Sequence, residues 1–116
     1  MKDTLARLDS LEDVAIFATT TMYSIIPTDK IALAVIEGSI LKSVSTIGRR
    51  VIMDLNLDRP NINTRTVKTK QTQLVNDTST DPDYFPGDGR DAVTMLSELC
   101  IPMIYREETL GTINFE

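Results

Sequence analysis

Lys30-Ile31-Ala32-Leu33-Ala34-Val35-Ile36-Glu37 is the passage on which the fold turns. It is apolar without interruption between two charged ends and shows no helical spacing, the pattern of a strand covered on both faces. Glu37-Gly38 supplies a turn, and the chain then returns from Ser39 to Ile47. In the return, Ile40, Lys42, Val44 and Thr46 alternate against Leu41, Ser43, Ser45 and Ile47, which predicts the second strand of a hairpin. Gly48 ends it.

Upstream of the hairpin the period is helical. Leu8, Leu11, Ala15, Ala18, Met22 and Ile25 recur at alternating steps of three and four, with Val14 and Phe17 widening the stripe. Ser10, with Asp13 three residues on, is placed to cap this helix, so residues 1–9 are an extension or a fray, and Pro27 stops it. The stripe fits a helix packed on its own domain and fits equally a helix-to-helix dimer. Downstream, Val51 to Leu57 is apolar but ambiguous; Asp58 or Asn61 then caps a polar helix running to about Lys70, with Pro60 in its first turn. Gln73 to Asp77 reads as a short strand, Thr78 to Gly89 as a loop, and Asp91 to Leu96 as one or two helical turns. Leu99 to Tyr105 and Thr109 to Phe115 form a second hairpin turned by Arg106-Glu107-Glu108. This order predicts an α+β domain with one antiparallel sheet and helices beside it.

At 116 residues, 41% of them hydrophobic and 25% charged, the chain is a single globular domain. Histidine and tryptophan are absent and there is one cysteine. Catalytic arrangements that need histidine, His-ligated metal or haem, and a phosphoaccepting histidine are therefore excluded. Cys100 alone cannot make an internal disulfide, a CxxC pair or a four-cysteine zinc site. Binding, signalling or catalysis by carboxylates remains. A net charge of −5 argues against nucleic acid as a partner. The apolar run Ile31–Ile36 falls far short of the roughly 20 residues of a membrane helix, and no targeting segment is visible, so the expectation is a cytoplasmic protein without membrane contact.

The carboxy-terminal half resembles a known family. Thr72 to Asp77, followed by Thr78-Ser79-Thr80-Asp81-Pro82-Asp83-Tyr84, is similar to the strand, Asp, short loop, Asp-Pro-x-Tyr passage of GAF domains. Ser97-Glu98-Leu99-Cys100-Ile101-Pro102-Met103 with Leu110-Gly111-Thr112-Ile113-Asn114-Phe115 is similar to their last hairpin, and the amino-terminal helix and first hairpin fall where that family has them. The resemblance implies one GAF-like domain over residues 1–116, with a central antiparallel sheet of five to six strands flanked by helices; the family's carboxy-terminal helix is missing. It implies a small-molecule pocket between one sheet face and the segments Ile52–Thr66 and Tyr84–Leu96. Pro102 is expected at an edge, bulge or unpaired position, breaking its strand. Gly111 is expected to permit close backbone approach, and Asp77 to shape the loop after its strand.

The resemblance implies a sensory or regulatory domain; an enzyme using paired carboxylates, such as Asp88 with Asp91, is not expected, because nothing in their spacing demands it. The domain's small molecule would be relayed through a homodimer of amino-terminal helices to an effector, such as a histidine kinase, lying outside this chain. A structural dimerisation module with a filled pocket is the alternative, and a PAS-like sensor the alternative fold. Asn114 is followed by Phe115 and Glu116 rather than by a cyclic-nucleotide motif; Cys100 has no adjoining histidine for a bilin; a single cysteine cannot resolve the thiol chemistry of methionine sulfoxide reduction. No bilin, haem or metal is expected. The candidate ligand contacts are Asp88, Asp91 and Thr94, where nucleotide-binding members place polar groups, with Ser97 at the strand they precede and Tyr84 and Phe85 as lid or core plug. Other readings stay subordinate: calcium at Asp81, Asp83, Asp88 and Asp91, which lacks EF-hand spacing; an anion at Asn61–Asn63 near Arg59 and Arg65; and Cys100 as a redox sensor rather than a buried small hydrophobe. The basic stretch from Arg49 to Lys70 and the acidic one from Asp77 to Asp91 are either two solvated loops in weak attraction or a cationic wall and an anionic lid.

Overall fold

A computed structural model of the chain describes residues 10–48, 54–85 and 96–116. Helix α1 (Leu11–Ile25) is followed by strands β1 (Lys30–Glu37) and β2 (Ile40–Gly48), the two-residue β3 (Leu55–Asn56), helix α2 (Ile62–Thr69) and β4 (Gln73–Val75). A single 3₁₀ turn (Thr78–Thr80), β5 (Glu98–Tyr105) and β6 (Glu108–Phe115) complete the order. The strands form one antiparallel sheet in the order β3-β2-β1-β6-β5-β4, so the two hairpins meet where β1 pairs with β6. This is an α+β fold with a six-stranded sheet. Among the described residues no helix is long and apolar enough to cross a membrane.

The two helices use opposite faces of the sheet. On α1, Ser10 is the N-cap, its Oγ accepting from the Asp13 amide at 3.1 Å. The helix packs on β1 and β2 through the buried Ala15 and Thr19, and the Thr19 and Ser45 hydroxyls share a hydrogen bond of 2.8 Å. Leu11 and Ile25 of the predicted stripe are exposed, as is Val14, while Leu8 lies outside the described residues. Helix α2 packs across β4, β5 and β6, with Asn61 rather than Asp58 as its cap.

A bulge corrects the simple alternation expected of β2. Leu33 pairs with Ser45 and Ala34 with Ser43, leaving Val44 as the extra residue. An inserted residue exchanges the faces on either side of it. Ser45 accordingly meets α1, while Ser43 lines the space beneath α2.

Gly111 behaves as expected: a Cβ built there would lie 2.0 Å from the Ala34 carbonyl oxygen, so only glycine admits β6 this close to β1. Asp77 also does, its Oδ1 accepting from the Ser79 amide at 3.0 Å and hydroxyl at 2.6 Å. Pro102 does not break its strand. β5 runs through it to Tyr105, because β4 starts at Gln73, opposite Cys100, and leaves the outer edge of β5 without a ladder partner at Pro102. The second hairpin turns on Arg106 and Glu107 alone, both at positive φ (50° and 68°), with Glu108 already in β6 opposite Tyr105. Of the ambiguous segment 51–57, only Leu55–Asn56 is a strand, and residues 51–53 lie outside the described set.

Candidate functional site

Between α2 and the inner face of the sheet lies a cavity of about 50 Å³, room for a few water-sized groups. Its apolar side is made by Ala32 and Ala34 of β1, Leu41 of β2, Leu55 of β3, Ile62 of α2 and Phe85. Its other side is polar and comes from strand ends: Lys30, Glu98, Thr112, Asn114 and Glu116, with Ser43 nearby and Asn61 and Asn63 above.

The polar side is built around Asn63. The Asn61 cap fixes the first turn of α2, its Oδ1 accepting from the Thr64 amide at 2.8 Å, and so carries Asn63 over the sheet. Asn63 Oδ1 accepts from Thr112 Oγ1 at 3.1 Å, Asn114 Nδ2 at 3.2 Å and Cys100 Sγ at 3.3 Å. Asn114 Nδ2 also donates to Glu98 Oε2 at 2.6 Å. With the Asn114 amino group set between Asn63 Oδ1 and Glu98 Oε2, its buried Oδ1 is left without a hydrogen-bond partner.

The charges on this wall do not balance if all are ionised. Lys30 Nζ stands 3.4 Å from Glu116 Oε2, a pair almost closed to solvent. Glu98, 4% exposed, is the second carboxyl beside Lys30, the one cation on this wall among the described residues. Burial, reinforced by the Glu116 carboxylate, pushes the Glu98 carboxyl up to about 8, so it carries a proton at neutral pH.

A second charged cluster holds the loop beside the cavity. Arg65 of α2 grips Asp81 with both terminal nitrogens, at 2.9 and 2.7 Å, and reaches Asp83 at 3.0 Å, while its Nε donates to Gln73 at 3.0 Å. The guanidinium holds the Asp81 carboxyl below its ordinary value. Of the two readings of the basic and acidic stretches, neither applies to Arg65: it is a half-buried fork–fork lock of loop to helix. Arg49, Arg50, Asp88 and Asp91 lie outside the described residues.

The six residues named from sequence are not brought together by the described structure. Phe85 lines the cavity, whereas Tyr84 packs against the core cluster of Ile62, Val75 and Cys100 as a plug. Ser97 lines an open groove on the α1 side of the sheet, with Leu74, Leu99, Ile101 and Phe115. Asp88, Asp91 and Thr94 fall outside the described residues. Glu98, Asn114, Glu116, Lys30 and Asn63 are the polar residues sequence reasoning missed as a site. Their signal was present: Glu98 and Asn114 each interrupt an apolar strand on the face shared with Cys100 and Thr112, where a polar side chain needs a partner.

Cys100 is fully buried, and burial raises its thiol to about 12, as fits a small core side chain rather than a reactive thiolate. Among the described residues no group of three potential metal ligands converges.

No protein-family model matches the chain, and no curated protein sequence does. Solved structures do. The free methionine-R-sulfoxide reductase of Neisseria meningitidis, in complex with its substrate, superposes with a TM-score of 0.83 at 11% identity over 98% of this chain, which spans 66% of that one. A GAF domain from a phosphoenolpyruvate-protein phosphotransferase of Coxiella burnetii gives 0.81 at 15% identity, covering 98% of this chain and 71% of its own. The type II free methionine-R-sulfoxide reductase of Thermoplasma acidophilum gives 0.78 at 20%, covering 91% and 76%. The expectation that this chain is not an enzyme is corrected by two of these three, which are reductases sharing the architecture. At such identities the likeness speaks for architecture alone: the chain adopts a GAF-like fold.

Proposed function

We propose that the chain is a GAF-type regulatory domain that takes a small molecule into the cavity between the inner sheet face and α2. The observation that carries this reading is the cavity's polar wall, where a buried, unpartnered Asn114 oxygen and a protonated Glu98 stand ready for a ligand's polar atoms. The means of relay are at hand. Ligand contact with β1 and β2 on one face is shared by α1 on the other, through Thr19 and Ser45. The exposed Leu11, Val14 and Ile25 of α1 offer an apolar strip for a second copy, and an effector outside the chain would read the change.

A thermal-shift screen against nucleotides, cyclic nucleotides, amino acids, small anions and divalent metals tests the reading. A ligand at 100 times its dissociation constant stabilises the fold by about 2.7 kcal/mol, a shift of several degrees. The expected hit is lost when the cavity is filled by Ala34→Phe; a hit that persists in that variant overturns the assignment to this cavity. For the dimer, Leu11→Glu with Val14→Glu is expected to give a folded monomer in sedimentation, and an unchanged sedimentation coefficient contradicts it.

A second reading is catalysis in the same cavity. Glu98 favours it, because a carboxyl still protonated at neutral pH is equipped to act as a general acid. Chemistry here would run through Glu98 rather than Cys100, whose thiol stays protonated. Turnover of a bound ligand, abolished in Glu98→Gln with binding retained, would decide for this reading.

A further inference from the structure

We infer that the polar wall of the cavity is a subsite for a small cationic donor group, a primary ammonium or a guanidinium, received by Asn114 Oδ1 together with the Glu98 and Glu116 carboxylates. The inference rests on the proposed binding role of this cavity and names the chemistry it selects. Three observations point the same way. Asn114 is 5% exposed and its Oδ1 has no partner, while its Nδ2 is committed to Glu98 and Asn63, so what is missing is a donor and not an acceptor. Among the described residues two carboxyls line the wall against one cation, Lys30, which already faces Glu116, so one further positive charge completes the balance. The cavity is also small, about 50 Å³, which suits a compact head group.

Free protein resolves the imbalance by holding a proton on Glu98. An arriving cation replaces that proton, so binding releases it to solvent and the carboxylate becomes the ligand's counter-charge. Among the described residues, the titratable and charged groups facing Glu98 are Glu116 beyond β6, Lys30 on β1 and Cys100 on its own strand; Asn63, Thr112 and Asn114 complete the wall as neutral groups. Lys30 keeps its pairing with Glu116 throughout.

The test is a titration of the whole chain with methylammonium chloride, which stays charged across the range, followed on the Asn114 side-chain amide by NMR. Acetamide, sodium acetate and sodium chloride serve as comparators. Methylammonium is expected to move the Asn114 signal with an apparent affinity that improves about tenfold per pH unit from pH 6 and levels off near pH 8. Glu98→Gln is expected to remove the pH dependence and weaken binding at least tenfold at pH 8, whereas Asn114→Asp, adding negative charge and followed instead on the neighbouring Asn63 side-chain amide, tightens it. If either variant fails to fold, the pH profile of the unaltered protein decides alone. Affinity that does not change with pH, equal binding of acetamide, or preference for acetate overturns the subsite. Silence of Asn114 to every probe overturns it too, while the wider binding role stands or falls separately with the thermal-shift screen and the Ala34→Phe variant.

Discussion

Glu98 and Asp81 both sit beside a basic residue in this molecule, yet the two surroundings drive their carboxyls in opposite directions. At the inner sheet face, Glu98 has lost nearly all contact with water and shares one lysine with a second carboxyl, and it keeps its proton to about pH 8. Between α2 and the loop, Asp81 faces a guanidinium that offers it two parallel bonds at the rim of the fold, and it gives its proton up more readily than usual. The difference teaches that solvation and stoichiometry, not the mere presence of a cation, decide what a charged cluster does. One arrangement fastens the fold; the other leaves it with a binding capacity in reserve.

The largest expected effect comes from removing the bond that organises the buried cluster. Asn63→Leu takes away the acceptor shared by Thr112, Asn114 and Cys100, and is expected to cost about 3 kcal/mol or more in chemical denaturation. A loss below about 1 kcal/mol would mean the cluster does not hold α2 to the sheet.

The pH dependence comes next and separates the two clusters by sign. Glu98 binds its proton more tightly folded than unfolded, so its contribution is fully present below its ordinary value of 4.5 and declines as pH rises toward about 8. The slope approaches about 1.4 kcal/mol per pH unit within that window, from this group alone. Glu98→Gln is expected to flatten the decline and to be the more stable protein at pH 8.5. Asp81 works the other way: its contribution is present above its ordinary value of 3.8 and is lost as pH falls through its lowered folded value.

Arg65→Ala is expected to cost about 1 kcal/mol near neutral pH, because the lock is half-buried and partly screened. That cost should shrink in acid, and Arg65→Lys should recover only part of it for want of the bidentate fork. At the lower limit is Lys42, 3.8 Å from Glu37 with both side chains more than half exposed. Lys42→Ala is expected to change stability by less than about 0.5 kcal/mol, and a larger change would show that exposure is not what separates the clusters.

Much of the fold was legible because it is carried by local patterns. The apolar run of β1, the glycine turn after it, the Ser10 and Asn61 caps and the two hairpins each follow from neighbouring residues. The bulge at Val44 was not, since it is set by a cross-strand pairing that no local alternation announces. Continuity of β5 through Pro102 depends on where β4 begins, again a matter of partners distant in sequence. The site was less legible still. Phe85 was found as a cavity residue, but Ser97 belongs to the other face, and the polar wall joins residues from β1, α2, β5 and β6. Glu98 and Asn114 look like ordinary strand polars until the register places them side by side at 2.6 Å.

The most direct test of the account is the titration of the Glu98 side-chain carboxyl carbon by NMR in the free protein. The account predicts a midpoint near pH 8, absent in Glu98→Gln. A midpoint between about 4 and 5, the ordinary glutamate range, would contradict it: the inner wall would then be a wet, ionised surface rather than a buried one holding a proton that a ligand can replace.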